Sequence, residues 1–279
     1  MSQIRSGKVE NLPYSLSRWT DVPAAKWSWM LQQFKQGWMT AFDQRTSIPQ
    51  KWSLKPEDTL GLMFWTKDPS NLVVSQLTLK DYNVKIHVTA TGWAEVEKGA
   101  PILSESIELL QRTVEAFGAE NVTWRFSPVP IVPDAAVRFE SLAKGAAMAG
   151  LKSVYLSFLQ PNDLVPETRA ESERAALLQD LARIGFKYDV KVLLCNEDRL
   201  LESNRGLHVN LASGVCARPE DFELPNRGVP PAEGCGCVMA VDPFTINESC
   251  TFGCSYCYAA DKSLTAKKRN TTRNLPVVQ

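Results

Sequence analysis

The sequence has no excess of charge of either sign and contains only two histidines, His87 and His208. Lysine plus arginine and aspartate plus glutamate number 31 each, so no global field favours nucleic acid or an anionic membrane. No run of ~18 apolar residues occurs, which argues against a membrane span. The two histidines are too far apart in sequence to predict a metal site. We expect each to be an ordinary structural residue, in the core or on the surface, and not a metal ligand.

The amino-terminal residues 1–12 are polar and lack the apolar core of a signal peptide. A hydrophobic fraction of 44% and a charged fraction of 22% are ordinary for a soluble globular protein. A chain of 279 residues can form one large domain or two small ones. These features predict a soluble, cytoplasmic protein with no membrane partner.

Cysteine occurs seven times, and five of these residues lie between positions 235 and 257. Such clustering, in a chain with cytosolic features, predicts metal ligands rather than a disulfide framework. Cys250, Cys254 and Cys257 have C-x3-C-x2-C spacing, and Gly253 permits a tight turn between them. Thiolates select iron–sulfur clusters or zinc, and three ligands leave one iron of a four-iron cluster open to a substrate or cofactor.

Apolar strand-like runs alternate with helical segments of about 10–15 residues before residue 200, which predicts a parallel sheet. Segment 37–58 is expected to be irregular, because Pro49 and Pro56 interrupt it. The predicted fold class is α/β, a complete or partial (β/α) barrel of the TIM type, formed as a single domain by residues 1–279. Six strand–helix units are expected, with strands at 12–18, 60–65, 85–91, 122–126, 153–159 and 190–195.

Charged side chains recur at the carboxyl ends of the predicted strands, where a (β/α) barrel carries its active site. In a barrel they would converge on one pocket and could hold a carboxylate, ribose hydroxyls or a charged substrate. Each one alone is more often a loop-capping or ion-pair residue. The candidate catalytic residues are Arg18, Asp21, Lys67, Asp68, Arg125 and Glu197.

The other four cysteines carry weaker signals. Cys235 and Cys237 form a C-x-C pair between glycines, which fits a second metal, a redox pair or small buried residues in a tight turn. Cys195 and Cys216 are expected to be structural, because free cysteine is among the most buried residue types. Cys195 also lies near a strand end, where a radical enzyme could keep a hydrogen donor.

Residues 238–241 form a possible last strand directly before the cysteine motif. If they close a barrel, the loop after them lies beside the loop after the first strand, because a closed barrel has no edges. Segment 234–262 would then bind a cluster at the carboxyl face of the sheet, in a circularly permuted order. Cysteines at the amino-terminal face would contradict this hypothesis.

The C-x3-C-x2-C spacing, with Tyr256 directly before the last cysteine, resembles the signature of radical SAM enzymes. The resemblance implies a [4Fe-4S] cluster on the three cysteines and S-adenosylmethionine chelated to the open iron. Reductive cleavage would then yield a 5'-deoxyadenosyl radical that abstracts hydrogen from the substrate. Tyr256, Phe252 and Gly253 are the candidate cofactor-binding residues. Two departures are the position of the motif near the carboxyl terminus and the lack of a clear Gly-Gly-Glu segment for the methionine amine.

Longer segments resemble a largely uncharacterised bacterial family of radical-SAM-like proteins, and this resemblance covers nearly the whole chain. Trp19 stands where that family often has Arg, and Ser127 where it often has Asp; either difference could shift substrate choice. The family brings no established reaction with it. The segments that carry the resemblance are Ser-Arg-Trp-Thr-Asp-Val-Pro at 17–23, Phe-Trp-Thr-Lys-Asp-Pro at 64–69, Trp-Arg-Phe at 124–126 and Gly-Cys-Gly-Cys at 234–237.

The expected function is therefore that of a radical SAM enzyme with a small-molecule or nucleotide-type substrate and an electron donor of the flavodoxin or ferredoxin type. The Cys-Tyr-Ala ending resembles radical SAM enzymes that repair photoproducts in DNA, so nucleic acid is an option that the neutral net charge does not favour. A different class is the alternative: a binding protein without turnover, whose zinc or iron–sulfur centre staples the carboxyl-terminal segment.

Overall fold

The computed structural model describes residues 13–17, 19–42, 49–159, 171–204, 209–225, 235–238, 240–242, 250–257 and 259. The strands are β1 (Tyr14–Ser15), β2 (Trp38–Phe42), β3 (Pro49–Ser53), β4 (Leu62–Thr66), β5 (Val84–Thr89), β6 (Val122–Val129), β7 (Ser153–Phe158), β8 (Lys191–Leu194) and β9 (Leu211–Ser213). The α-helices are α1 (Val22–Ala25), α2 (Trp27–Gln36), α3 (Ser70–Val74), α4 (Leu103–Phe117), α5 (Ala135–Met148), α6 (Glu171–Lys187) and α7 (Asp198–Ser203). None of the helices in these ranges is both long and apolar enough to cross a membrane.

The main sheet has seven strands in the order β1-β4-β5-β6-β7-β8-β9, and every neighbouring pair is parallel. At least one helix follows each of β1, β4, β5, β6, β7 and β8, so the six predicted strand–helix units are present. The predictions of an α/β fold and a parallel sheet are confirmed. The carboxyl ends of all seven strands therefore lie at one edge of the sheet.

The expectation of an irregular segment between α2 and β4 is wrong. Strands β2 and β3 form a separate antiparallel hairpin, whose ladder runs from Trp38 opposite Ser53 to Phe42 opposite Pro49. Pro49 is tolerated because it is the first residue of its strand, where a missing N–H does not interrupt the ladder.

Helices cover one face of the main sheet. Trp124 and Phe126 of β6 are fully buried there, and both pack against Phe139 of α5, with ring centroids 5.3 and 5.2 Å apart. Each such ring contributes about 2–3 kcal/mol through burial. Side chains of the same strands that point the other way meet a second apolar cluster, which contains Met63, Phe222 and Val238. The strands are thus buried on both faces, as their apolar sequences predict.

The predicted last strand is, in the structure, an isolated parallel bridge beside β1. The Ser15 N–H donates to the carbonyl of Val241 at 2.7 Å, and the Val241 N–H donates to the carbonyl of Pro13 at 3.0 Å. A few residues earlier, the Val238 N–H donates to the carbonyl of Ala217 at 3.0 Å, just beyond β9. One short segment is therefore hydrogen-bonded both to the first strand of the sheet and to the chain that leaves the last.

Candidate functional site

A cavity of about 720 Å³ lies at the carboxyl edge of the main sheet. Its walls include residues at or just after the ends of successive strands, among them Ser17, Lys67, Thr89 and Ser157. The same cavity is lined by the three cysteines of the carboxyl-terminal motif, Cys250, Cys254 and Cys257. These cysteines lie at the carboxyl edge, which is the position that the permuted-order hypothesis requires.

The cysteine loop, residues 250–257, is held against the segment that follows β5. The Gly99 N–H donates to the carbonyl of Phe252 at 2.9 Å, and the Ser255 N–H donates to the carbonyl of Val96 at 2.8 Å. The two backbones approach so closely that a Cβ on Gly99 would lie 2.5 Å from the carbonyl oxygen of Thr251. A glycine at this position therefore lets the loop dock.

A buried carboxylate, Glu97, joins the cysteine loop to its surroundings and is only 1% exposed. It accepts hydrogen bonds from the Tyr256 hydroxyl and, at 2.8 Å, from the Thr91 hydroxyl. The Lys67 ammonium forms an ion pair with it at 2.8 Å, without the geometry of a hydrogen bond. Sequence reasoning missed Glu97 because it lies well beyond the end of β5, in a loop whose path no local pattern reveals.

Burial favours the protonated form of two thiols of the cysteine loop, those of Cys250 and Cys254. Burial raises the pKa of Cys250 and raises that of Cys254 to about 11. The backbone N–H groups of Phe252 and Asp21 act on the Cys250 thiol in the opposite direction and lower its pKa. A bound metal would deprotonate such thiols, because a coordinating thiol is held as thiolate.

The donor chemistry of the loop fits a thiolate-bound cluster. Three thiols on one short loop border one cavity, and Cys250 and Cys257 are close enough to Cys254 to raise its pKa. Within the described part of the chain, no group of three or more His, Cys, Asp or Glu side chains is placed to hold a metal ion as it stands. Ligation of a cluster therefore requires rotation of the cysteine side chains toward one another.

Three of the six predicted charged residues line the cavity: Asp21, Lys67 and Arg125. The Asp21 carboxylate accepts from the N–H groups of Ala24, at the start of α1, and Lys67, at 3.1 and 2.8 Å. Burial raises the pKa of Asp21 to about 6. The Arg125 guanidinium lies over the ring of Trp65 at 5.0 Å. The cavity thus has two cationic side chains, Lys67 and Arg125, and two carboxyl groups, those of Asp21 and the buried Asp242.

Two of the predicted charged residues, Asp68 and Glu197, do not line the cavity. Asp68 accepts hydrogen bonds from the N–H and hydroxyl of Ser70 at the start of α3. Glu197 is 8% exposed and accepts from the Phe158 N–H at 3.0 Å. Both carboxylates satisfy backbone donors at strand or helix ends, the alternative role of such residues. Arg18 lies outside the described residues.

The three candidate cofactor-binding residues occupy the same loop as the motif cysteines. Phe252 and Tyr256 line the cavity, and Phe252 is 6% exposed. Gly253 has a φ of +59°, a left-handed conformation that favours glycine and makes the predicted turn. His87 is buried in β5, which is one of the two positions, core or surface, that were predicted for it. His208 lies outside the described residues.

The remaining four cysteines, Cys195, Cys216, Cys235 and Cys237, also line the cavity and contact one another. The sulfurs of Cys216 and Cys237 are 3.3 Å apart, and Cys195 packs against the cluster that contains both. Interaction with the Cys216 thiol lowers the pKa of Cys195 to about 7 and that of Cys237 to about 5. Sequence reasoning treated Cys195 and Cys216 as separate structural residues, because spacing alone identifies only the C-x-C pair.

Residues 14–259 match a protein family described as a domain of unknown function, DUF1848. The match begins in β1, ends just after the last motif cysteine, and includes all seven cysteines. A comparison with curated proteins found no match. Because the matched region covers most of the sequence, the chain belongs to the DUF1848 family.

Proposed function

We propose that this protein is a radical SAM enzyme in which Cys250, Cys254 and Cys257 hold a [4Fe-4S] cluster and the adjoining cavity binds S-adenosylmethionine and a substrate. The observation that supports the proposal is the meeting of this C-x3-C-x2-C loop with a cavity at the carboxyl edge of a parallel sheet. When bound, the cluster supplies the electron that cleaves the sulfonium of S-adenosylmethionine reductively.

The residues of the chain would bind and orient S-adenosylmethionine and the substrate, and would exclude water from the cavity. The Arg125 guanidinium is suited to the carboxylate of S-adenosylmethionine or to an anionic substrate, whereas the Lys67 ammonium is already paired with Glu97. Phe252 and Tyr256 close the cavity on the side of the cysteine loop. Asp21, whose pKa is raised to about 6 by burial, can hold or release a proton near neutral pH.

The proposal includes a barrel that closes through the segment before the cysteine loop. Hydrogen bonds from that segment reach Pro13 and Ser15 on one side and Ala217 on the other, which supports closure. In a closed barrel, the cysteine loop would lie beside the loop after β1. That neighbourhood is consistent with the positions of Asp21 and Cys250, which line the same cavity, and with the effect of Asp21 on the pKa of Cys250.

The cavity favours a small-molecule or nucleotide-type substrate over a nucleic-acid duplex. Its volume of about 720 Å³ lies within the ~300–1,000 Å³ that is typical of small-ligand sites. The proposed reaction also requires a one-electron donor, of the flavodoxin or ferredoxin type, and reducing conditions such as those of the cytoplasm.

Protein purified without oxygen tests this function directly. We expect about four irons and four sulfides per chain, and release of 5'-deoxyadenosine from S-adenosylmethionine under dithionite. Cys254→Ala should lose both the cluster and the cleavage. Ser255→Ala changes an exposed neighbour in the same loop and should retain both.

Two results would contradict the proposal. One is zinc in place of iron on the motif cysteines. The other is a reconstituted cluster that does not cleave S-adenosylmethionine, although Ser255→Ala and the unaltered protein both hold that cluster equally well. Either result would favour a binding protein whose metal only staples the carboxyl-terminal segment, a role for which chelation should unfold that segment.

A further inference from the structure

Four cysteines outside the motif come from three separate stretches of the chain and meet on the wall of the cavity. We propose that Cys195, Cys216, Cys235 and Cys237 form a second metal site, which holds a single Zn²⁺ ion by four thiolates. None of these residues belongs to the C-x3-C-x2-C loop, so the site does not depend on the radical SAM assignment.

The four cysteines adjoin one another in series. Cys195 packs against the apolar cluster that contains Cys216 and Cys237, and the sulfurs of Cys216 and Cys237 are 3.3 Å apart. Cys235 completes the series, because its sulfur accepts a hydrogen bond from the Cys237 N–H at 3.5 Å. Cys216 and Cys237 are buried, whereas the two cysteines at the ends of the series are partly exposed.

The spacing of the central pair fits one metal ion. With Zn–S bonds of about 2.3 Å, neighbouring sulfurs of a tetrahedral site lie about 3.8 Å apart. The observed 3.3 Å is near that separation and much longer than a disulfide bond of about 2.05 Å. In a [4Fe-4S] cluster each thiolate binds a different iron, which places the cysteine sulfurs farther apart.

Binding of Zn²⁺ would require the cysteine side chains to move. The four thiols are not placed to hold a metal ion as they stand. Side-chain rotation of Cys195 and Cys235, at the two ends of the series, would bring their sulfurs toward the Cys216–Cys237 pair. Because both end residues are only partly buried, they have room to turn.

A cationic side chain, that of Arg125, lies beside the cysteines. Four thiolates and one Zn²⁺ carry a net charge of −2, which is costly in a partly buried site without a counter-ion. The positive charge of the Arg125 guanidinium lowers the pKa of both Cys195 and Cys216. It is held there over the Trp65 ring. Four neutral thiols in an apolar cluster would need no such partner.

The backbone holds the two central cysteines side by side. A Cβ on Gly236 would lie 2.6 Å from Cγ2 of Val215, so the C-G-C turn packs directly on the residue before Cys216. The hydrogen bond from Val238 to Ala217 fixes the next step of the same contact. A zinc ion here would therefore join the chain after β9 to the segment that bridges β1, and would stabilise the floor of the cavity.

The test uses the full-length variant in which Cys250, Cys254 and Cys257 are all replaced by Ala, so that the motif cannot contribute metal. We expect about one zinc per chain by elemental analysis. Replacement of zinc by Co²⁺ should give the sulfur-to-cobalt charge-transfer absorption of a tetrahedral thiolate site. The additional substitution Cys237→Ser should abolish both signals.

Cys235→Ser provides a second variant, because this cysteine is partly exposed and its replacement disturbs the core less. Loss of a ligand should weaken Zn²⁺ binding by at least about 100-fold. Iron and sulfide bound by these four cysteines would overturn the zinc assignment. If the anaerobically purified triple variant contains no metal and takes up no Co²⁺, the proposal of a metal site is overturned. Failure of S-adenosylmethionine cleavage would leave these readouts unchanged, so the two proposals can fail separately.

Discussion

The hydroxyl of Tyr256 donates a hydrogen bond to the carboxylate of Glu97, although 159 residues separate them in the sequence. Lys67, from the loop after β4, forms an ion pair with the same carboxylate oxygen. One buried acid therefore joins three loops at the carboxyl edge of the sheet. It also fixes the side of the cysteine loop that carries Cys254, which pairs with Glu97 in an isolated antiparallel bridge.

Glu97→Gln should destabilise the protein by about 3 kcal/mol, because it leaves a buried cation without its counter-ion. Glutamine keeps the size of the side chain and can still accept the Tyr256 hydrogen bond. It removes the negative charge that balances Lys67, whose side chain is only 13% exposed. Urea denaturation followed by tryptophan fluorescence measures the change.

Glu95→Gln is the matched control, from the same loop. Its side chain is 65% exposed and pairs with Arg138 at 2.7 Å, so solvent screens the interaction. We expect a loss below about 1 kcal/mol. Equal losses in the two variants would show that Lys67 keeps its solvation without Glu97, contrary to the structure. Lys67→Met should recover part of the stability in the Glu97→Gln background, since it removes the stranded charge.

Elements whose determinants are local could be predicted from the sequence. Helix α4 has its signals within reach of its own ends: the Ile102 N–H donates to the Glu105 carboxylate at 3.0 Å, and Gly118, at φ +83°, ends the helix. The strands of the main sheet are short apolar runs between such helices, so their order and parallel direction follow from the alternation.

Features that depend on distant partners could not be predicted. Met39 and Trp52 face each other across the β2–β3 ladder and are both buried, but nothing local pairs them. Lys67 and Asp68 are adjacent in sequence, yet only Lys67 lines the cavity, because the Asp68 carboxylate is held by the N–H and hydroxyl of Ser70 at the start of α3. The four-cysteine group likewise depends on which loops meet above the sheet.

Gly99→Ala should loosen the cysteine loop. The added Cβ would lie 2.5 Å from the carbonyl oxygen of Thr251 and 3.0 Å from Cα of Phe252, so backbone and not a flexible side chain must move. We expect a destabilisation of about 1–3 kcal/mol, as for other overpacked sites. Hydrogen exchange should show faster exchange of the Ser255 amide, whose bond to Val96 lies in the same contact.

Lys98→Ala tests the neighbouring position, where the side chain is exposed. Its stability and the exchange rate of the Ser255 amide should stay close to those of the unaltered protein. Unchanged exchange in Gly99→Ala would contradict the docking of the two backbones.

His87→Phe should remove part of the acid sensitivity of folding. His87 is 1% exposed and stacks on Trp65 with ring centroids 3.8 Å apart. Burial, with a smaller contribution from Arg125, holds its pKa well below 6.5. Below pH ~6.5 the unfolded chain therefore binds a proton that the folded state does not, and stability falls as the pH falls.

The expected loss through His87 is about 1.4 kcal/mol between pH 7.5 and pH 5.5. Asp21 acts in the opposite direction, because its raised pKa, about 6, makes the folded state bind a proton that the unfolded chain releases. The informative quantity is therefore the difference between the pH dependences of the unaltered protein and His87→Phe, measured by urea denaturation. Phenylalanine preserves the stacking on Trp65 and cannot take up a proton. Parallel pH dependences would mean that His87 is protonated in the folded protein, which would contradict its position in the core.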